Sequence, residues 1–174
     1  MHIIGILTTI AIAVFWISRA IRGSRDIADA ARSFKNRPRQ DKFRKLHGKS
    51  GYDLVETPVE AATVLMIATA RMDAQRGVSE AEIAAITLQL ENHMQLNTDA
   101  ADGMYRQMYN VIHDVTLPET ALFPMVDILK TSIEREDAQQ LAQMMDRVAN
   151  CETPATAEQK EFIRRFKERM NLLG

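Results

Sequence analysis

The chain opens with a long apolar segment and then changes to stretches in which apolar residues recur every three or four positions. The opening segment, residues 3–18, carries no charge, and its apolar character resumes at Ala20 and Ile21. A helix rises about 1.5 Å per residue, so about 20 such residues cross the hydrocarbon core of a bilayer. We therefore predict a transmembrane anchor over residues 1–22, with Trp16 at the membrane interface.

A cleaved signal peptide and an ordinary buried helix are the alternatives to this anchor. A signal peptide has positive charge before its apolar run, whereas here only Met1 and His2 precede the run. All nearby Lys and Arg follow the apolar segment, so the positive-inside rule predicts a single-pass protein of the inner (cytoplasmic) membrane with a cytoplasmic C-terminal domain. The single cysteine, Cys151, agrees with a reducing compartment.

Residues 23–56 form a basic neck between the anchor and an acidic body. Residues 19–49 contain 11 Lys and Arg against three Asp, a net charge of +8, and residues 50–174 contain 11 against 20 Asp and Glu, a net charge of −9. Anionic lipids attract such a neck by about 1 kcal/mol per basic residue near the surface. We predict lipid contact; a solvated linker is the alternative, and nucleic-acid binding is disfavoured because no aromatic platform accompanies the charges. The predicted lipid-facing residues are Arg22, Arg25, Arg32, Lys35, Arg37, Arg39, Lys42, Arg44 and Lys45.

Residues 57–174 show helical periodicity throughout and no sustained alternation, which predicts an all-α bundle of about six helices. The apolar run after residue 57 is too short to cross a bilayer and is typical of a central buried helix. Further helices are predicted over about 98–113 and 135–149. Four Ser/Thr-x-x-Glu/Gln capping boxes mark predicted helix starts, at Thr57, Ser79, Thr116 and Thr156.

The side chains that usually carry catalysis are thinly spread. His47, His93 and His113 lack the spacing of a metalloprotease or a triad, and no glycine-rich phosphate loop occurs, so we do not predict an enzyme. The methionines follow the predicted apolar faces, where they are most simply core filler, and a soft groove for a partner helix is the alternative. These methionines are Met66, Met104, Met108, Met125, Met144 and Met145.

Two units of the body share one layout, in which an apolar helix leads through a short turn to a capping box and an amphipathic helix. They read ATARMDAQRGVSEAEIAAI and DRVANCETPATAEQKEFI. This layout, over residues 58–173, resembles the TerB-like family, named for tellurite-resistance proteins. The anchor, neck and body are also similar to the N-terminal part of the DjlA type of membrane-anchored DnaJ-like co-chaperone, although the His-Pro-Asp tripeptide of a J domain does not occur here. The resemblance implies a link to envelope, metal or tellurite stress.

The resemblance also implies divalent-metal binding through acidic residues at the two turns. Asp73 and Glu82 match the acidic positions of the first unit, while Glu152 and Gln159 stand at the corresponding positions of the second. The carboxylates of Asp73, Glu80, Glu82, Glu152 and Glu158 would offer oxygen ligands suited to Ca²⁺ or Mg²⁺ if the two hairpins pack antiparallel. The predicted metal ligands among them are Asp73, Glu82, Glu152 and Glu158. The alternative is that the acids only complement the positive ends of helix dipoles.

These patterns predict a membrane-anchored cytoplasmic adaptor or scaffold that binds an unidentified protein partner and has no resident cofactor. The alternative function is a divalent-metal sensor that uses the acidic residues at the paired turns. Small residues in the anchor permit a homo-oligomer, but no GxxxG motif argues for one.

Overall fold

The computed structural model describes residues 51–73 and 77–173. Six α-helices account for most of this part: α1 (Pro58–Arg71), α2 (Glu80–Met94), α3 (Thr98–Ile112), α4 (Leu122–Lys130), α5 (Arg135–Ala149) and α6 (Ala157–Arg169). Two short 3-10 helices, Gly51–Leu54 and Pro118–Ala121, precede α1 and α4. No strand occurs within the described ranges, so the prediction of an all-α bundle of about six helices is confirmed.

The predicted anchor and most of the basic neck lie outside the described residues. Within the described ranges, no helix is both long and apolar enough to cross a membrane. The packed domain includes the last part of the segment assigned to the neck, because Leu54 and Val55 are buried in the same core as the helices.

Helix α1 is the centre of the bundle, and it contacts each of the other five helices. Every residue from Glu60 to Ala70 is buried. Polar groups within this stretch are satisfied locally: the Thr69 hydroxyl donates to the Leu65 carbonyl at 2.8 Å, and the Glu60 carboxylate accepts from the backbone N–H of Thr57 at 2.9 Å. Local hydrogen bonding therefore permits a helix with three polar side chains to occupy the core.

The six methionines assigned to the core are all fully buried, with no exposed surface. The prediction that they fill the core is therefore confirmed. An unbranched thioether adapts to irregular gaps, which suits packing around a central helix that is rich in alanine.

Three of the four predicted capping boxes are present, at Thr57, Ser79 and Thr156. The box predicted at Thr116 is wrong. A 3-10 helix begins at Pro118 with Leu117 as its N-cap and without a side-chain cap, and the Thr120 hydroxyl donates to the Leu117 carbonyl at 2.6 Å. Helix α4 then starts at Leu122, so Pro124 falls in its first turn, where a missing backbone N–H is not needed.

Candidate functional site

The two repeated turns meet at one small cavity. The first unit contributes residues from the end of α1 and the start of α2, and the second contributes residues from the end of α5 through the start of α6. The cavity has a volume of about 20 Å³, which is room for about one water molecule. The lining residues are Ala70, Asp73, Ser79, Glu82, Val148, Ala149, Cys151, Glu152, Thr153 and Gln159.

The first turn positions Glu82 through the capping box of α2. The Ser79 hydroxyl accepts from the backbone N–H of Glu82 at 3.2 Å, and the Glu82 carboxylate accepts from the backbone N–H of Ser79 at 2.8 Å. Both bonds satisfy N–H groups that the first turn of a helix leaves unpaired. The carboxylate is therefore held at the cavity wall by the same bonds that start the helix.

The second turn has the same arrangement with an amide in place of the acid. The Gln159 side-chain oxygen accepts from the backbone N–H of Thr156 at 3.0 Å. Its amide nitrogen donates to the Thr69 carbonyl of α1 at 3.2 Å, and the side chain is buried. Gln159 thus connects the second unit to the end of the first, a contact that an acidic side chain could make only when protonated.

The charge at the cavity is negative. Burial raises the pKa of the Glu82 carboxyl, the hydrogen bonds from Ser79 oppose this rise, and the nearby carboxylates of Glu152 and Asp73 add to it. The pKa of the exposed Cys151 thiol is also raised, first by burial of part of the group and then by the charge of Glu82. The thiol therefore stays protonated at neutral pH and is a poor nucleophile.

The structure brings together three of the four residues predicted to bind metal. Asp73, Glu82 and Glu152 line the cavity, whereas Glu158 is exposed in the first turn of α6 and does not. Among the described residues, no group of three or more His, Cys, Asp or Glu side chains could hold a metal ion. Carboxylate oxygens suit Ca²⁺ or Mg²⁺ chemically, but as placed here they do not form a ligand set.

The contact made by Gln159 and the position of Cys151 at the cavity were not predicted from the sequence. The bridging role of Gln159 depends on its distance from Thr69, ninety positions away, and no local pattern predicts that contact. The placement of Cys151 at the cavity follows from the turn it occupies after α5. The basic residues predicted to contact lipid lie outside the described part of the chain.

A second surface feature lies where α4 packs against α6. Phe123, in the first turn of α4, is 43% exposed, and the guanidinium of Arg169 lies 4.0 Å from the centre of its ring. Leu117 and Leu173 are each 55% exposed, in the segments just before α4 and just after α6. Aromatic residues and Arg are enriched at protein–protein interfaces, and Arg is frequent among the residues that dominate binding there.

Comparison with protein families places residues 59–172 within the model described as tellurite resistance protein TerB. The matched segment runs from the first turn of α1 to just past α6, so it includes both turns and the cavity between them. Comparisons with curated proteins and with solved structures found no match.

Proposed function

This chain belongs to the TerB family, and from that membership and its surface we propose that it is a membrane-anchored adaptor whose helical domain binds another protein at the cytoplasmic face of the membrane. The family description points to defence against tellurite or a related stress, and we place the adaptor in that response. The apolar segment 1–22 would hold the chain in the inner membrane, and the basic neck would contact anionic lipids.

The observation that carries the adaptor proposal is the contact between Phe123 and Arg169. A ring that is 43% exposed under a guanidinium combines apolar area with a fixed charge, which suits a partner side chain that is aromatic or acidic. The six core methionines are fully buried, so they do not form an exposed groove for a partner helix.

Site-directed photo-crosslinking tests this proposal in cells. A photoreactive residue at position 123 of the full-length chain is expected to give one reproducible protein adduct, which identifies the partner. In separate variants without the photoreactive residue, Phe123→Asp or Arg169→Glu is expected to abolish binding of that partner. The matched control places the photoreactive residue at Gln143, which is exposed on α5. Equal adducts from positions 123 and 143, or binding unaffected by Arg169→Glu, would refute the adaptor surface.

The anchor has its own test. Alkaline extraction of membranes is expected to leave the full-length chain in the pellet and to release a version lacking residues 1–22. Replacing four basic residues of the neck with glutamine in that shortened version is expected to reduce its binding to vesicles containing anionic lipid, with neutral vesicles as the control. Complete release of the full-length chain by alkali would contradict the membrane anchor.

A divalent-metal sensor is the second candidate. It requires Asp73, Glu82 and Glu152, which line one cavity without forming a ligand set, to draw closer around an ion. Because ligand binding to the folded state raises stability, a sensor would melt at a higher temperature in Ca²⁺ or Mg²⁺ than in chelator. The increase should disappear in Glu82→Gln. Identical melting temperatures with and without the ions would exclude the sensor and leave the adaptor proposal untouched.

A further inference from the structure

Helices α2 and α5 run in opposite directions, because α2 starts at the acidic cavity and α5 ends there. The two helices pack against each other. Their relative position therefore sets how the two turns face each other across the cavity. A cluster of polar side chains near the other end of α2 joins the pair, and this cluster takes no part in the functions proposed above.

His93 is the centre of that cluster. The Arg147 guanidinium of α5 lies 2.9 Å from the His93 Nε2, and the same Nη1 donates to the side-chain oxygen of Gln89 at 3.0 Å. A guanidinium has no acceptor, so the Nε2 must carry a lone pair and the ring proton must be on Nδ1. The structure places the amide nitrogen of Gln140 at hydrogen-bond distance from Nδ1. Because a ring with its proton on Nδ1 has no acceptor there, we assign the amide the opposite way round, with its oxygen accepting that proton.

We propose that His93, Arg147 and Gln140 form a pH-responsive clasp between α2 and α5 that holds only while the imidazole is neutral. Protonation of the Nε2 replaces the acceptor facing Arg147 with a second donor and places two cations at hydrogen-bond distance. The hydrogen bond is then lost and the contact becomes repulsive. Acidification loosens the far end of α2 from α5 and so alters the placement of the two turns at the cavity.

Arg147 is the charged group that faces the imidazole. Arg147 and Gln140 face it from α5 and Gln89 from α2 itself, and no charged side chain of α1 or α3 in the described ranges adds to the pKa shift of His93. Partial burial lowers the pKa of His93 below 6.5, and Arg147 lowers it further. The unfolded chain therefore takes up the proton first, so the stability that the clasp contributes is full above pH 6.5 and is lost as the pH falls from 6.5 to the folded pKa. Within the folded chain the clasp itself opens at the folded pKa.

NMR titration of the histidine imidazoles tests the clasp, with the full-length chain in detergent micelles. The His93 signal is identified as the one that is missing in His93→Gln. The expected result is a His93 pKa below 6.5, the Nδ1–H tautomer at neutral pH, and a rise of that pKa in Arg147→Met. Met retains the length of the side chain without its charge. A His93 pKa at or above 6.5, or one unchanged in Arg147→Met, would overturn the proposal.

Hydrogen exchange gives a readout that a merely structural histidine would not change. After correction for intrinsic exchange rates, peptides from α2 are expected to exchange several-fold faster at a pH below the His93 pKa found in the NMR titration than at pH 7.5, with peptides from α6 as the internal reference. The rise should be absent in His93→Gln, in which a neutral amide can accept from Arg147 at both pH values. An equal rise in His93→Gln would refute the clasp, and if that variant does not fold, the Arg147→Met titration still decides.

Discussion

Glu82 and Gln159 occupy the same place in two capping boxes, and their side chains line the same cavity. Each accepts from the backbone N–H of its own N-cap residue, Ser79 or Thr156. The difference between them is one charge. The second turn shows that a neutral amide serves the cap fully, so the charge at Glu82 is not required for the fold.

Glu82→Gln is therefore expected to leave stability at pH 7 unchanged or slightly higher, because the amide keeps the cap and removes repulsion from Glu152 and Asp73. Glu82→Ala should lose about 1 kcal/mol, since the Ser79 N–H loses its acceptor. Thermal unfolding of the full-length chain in mild detergent measures both. A loss in Glu82→Gln as large as that in Glu82→Ala would mean that the charge itself stabilises the turn.

The pH dependence of the same pair gives a second prediction. The pKa of Glu82 is raised in the folded state above 4.5, so the folded chain binds the proton more readily than the unfolded chain. Protonation of Glu82 therefore adds to the free energy of unfolding. This contribution is complete below pH 4.5 and is lost as the pH rises through the folded pKa. The difference in melting temperature between wild type and Glu82→Gln should follow this course, and a difference independent of pH would contradict it.

Arg71 closes the end of a neighbouring helix. Its guanidinium donates to the carbonyl oxygens of Ile112 at 2.8 Å and Val115 at 2.7 Å, at the end of α3 and in the loop beyond it. Arg71→Met should lower the free energy of unfolding by about 2 kcal/mol, because two hydrogen bonds from a charged donor are lost and the carbonyls of Ile112 and Val115 no longer have that donor. Arg106→Met is the matched control: its exposed pair with Asp102 is worth well under about 1 kcal/mol. Similar losses in denaturant unfolding of the two variants would show that the Arg71 contacts contribute little.

The helix caps provide a comparison between a confirmed prediction and a wrong one. Thr57→Ala removes the side chain that caps α1 and should cost about 1 kcal/mol. Thr116→Ala should change stability by less than about 0.5 kcal/mol, since Thr116 is exposed and Leu117 is the N-cap of the 3-10 helix. Chemical denaturation of the two variants distinguishes them, and a cost at Thr116 equal to that at Thr57 would restore the capping box that the sequence predicted.

Sequence patterns predicted the local features of this domain well and its long-range contacts poorly. The caps at Ser79 and Thr156 depend on residues three positions apart, so a single sequence contains all the information they require. The box at Thr116 failed because Pro118 can begin either an α-helix or a 3-10 turn, and the hydroxyl of Thr120 favours the turn. The bonds of Arg71 to Ile112 and of Gln159 to Thr69 connect distant positions and depend on how helices pack, which periodicity does not reveal.

The candidate site shows the same division. The layout of the repeat made convergence of the acidic residues conditional on antiparallel packing of the two hairpins, and Asp73, Glu82 and Glu152 are the ones that line one cavity. The spacing could not predict that Glu158 points away from the cavity, because that depends on the rotation of α6 about its own axis. Nor could it predict Phe123 against Arg169, since these residues belong to different helices with no shared pattern.

The central position of α1 affects how the domain can be made. This helix leaves the ribosome before the five helices that cover it, and α6 is complete only at Arg169. At about 5–20 residues per second, the intervening hundred or so residues take roughly 5 to 20 seconds to synthesise. The helices that cover α1 become available one after another during that time, so part of its apolar surface stays without its native contacts until α6 has been made. The core of a nascent chain is therefore complete only at a late stage of synthesis, when the last helix can pack against the first.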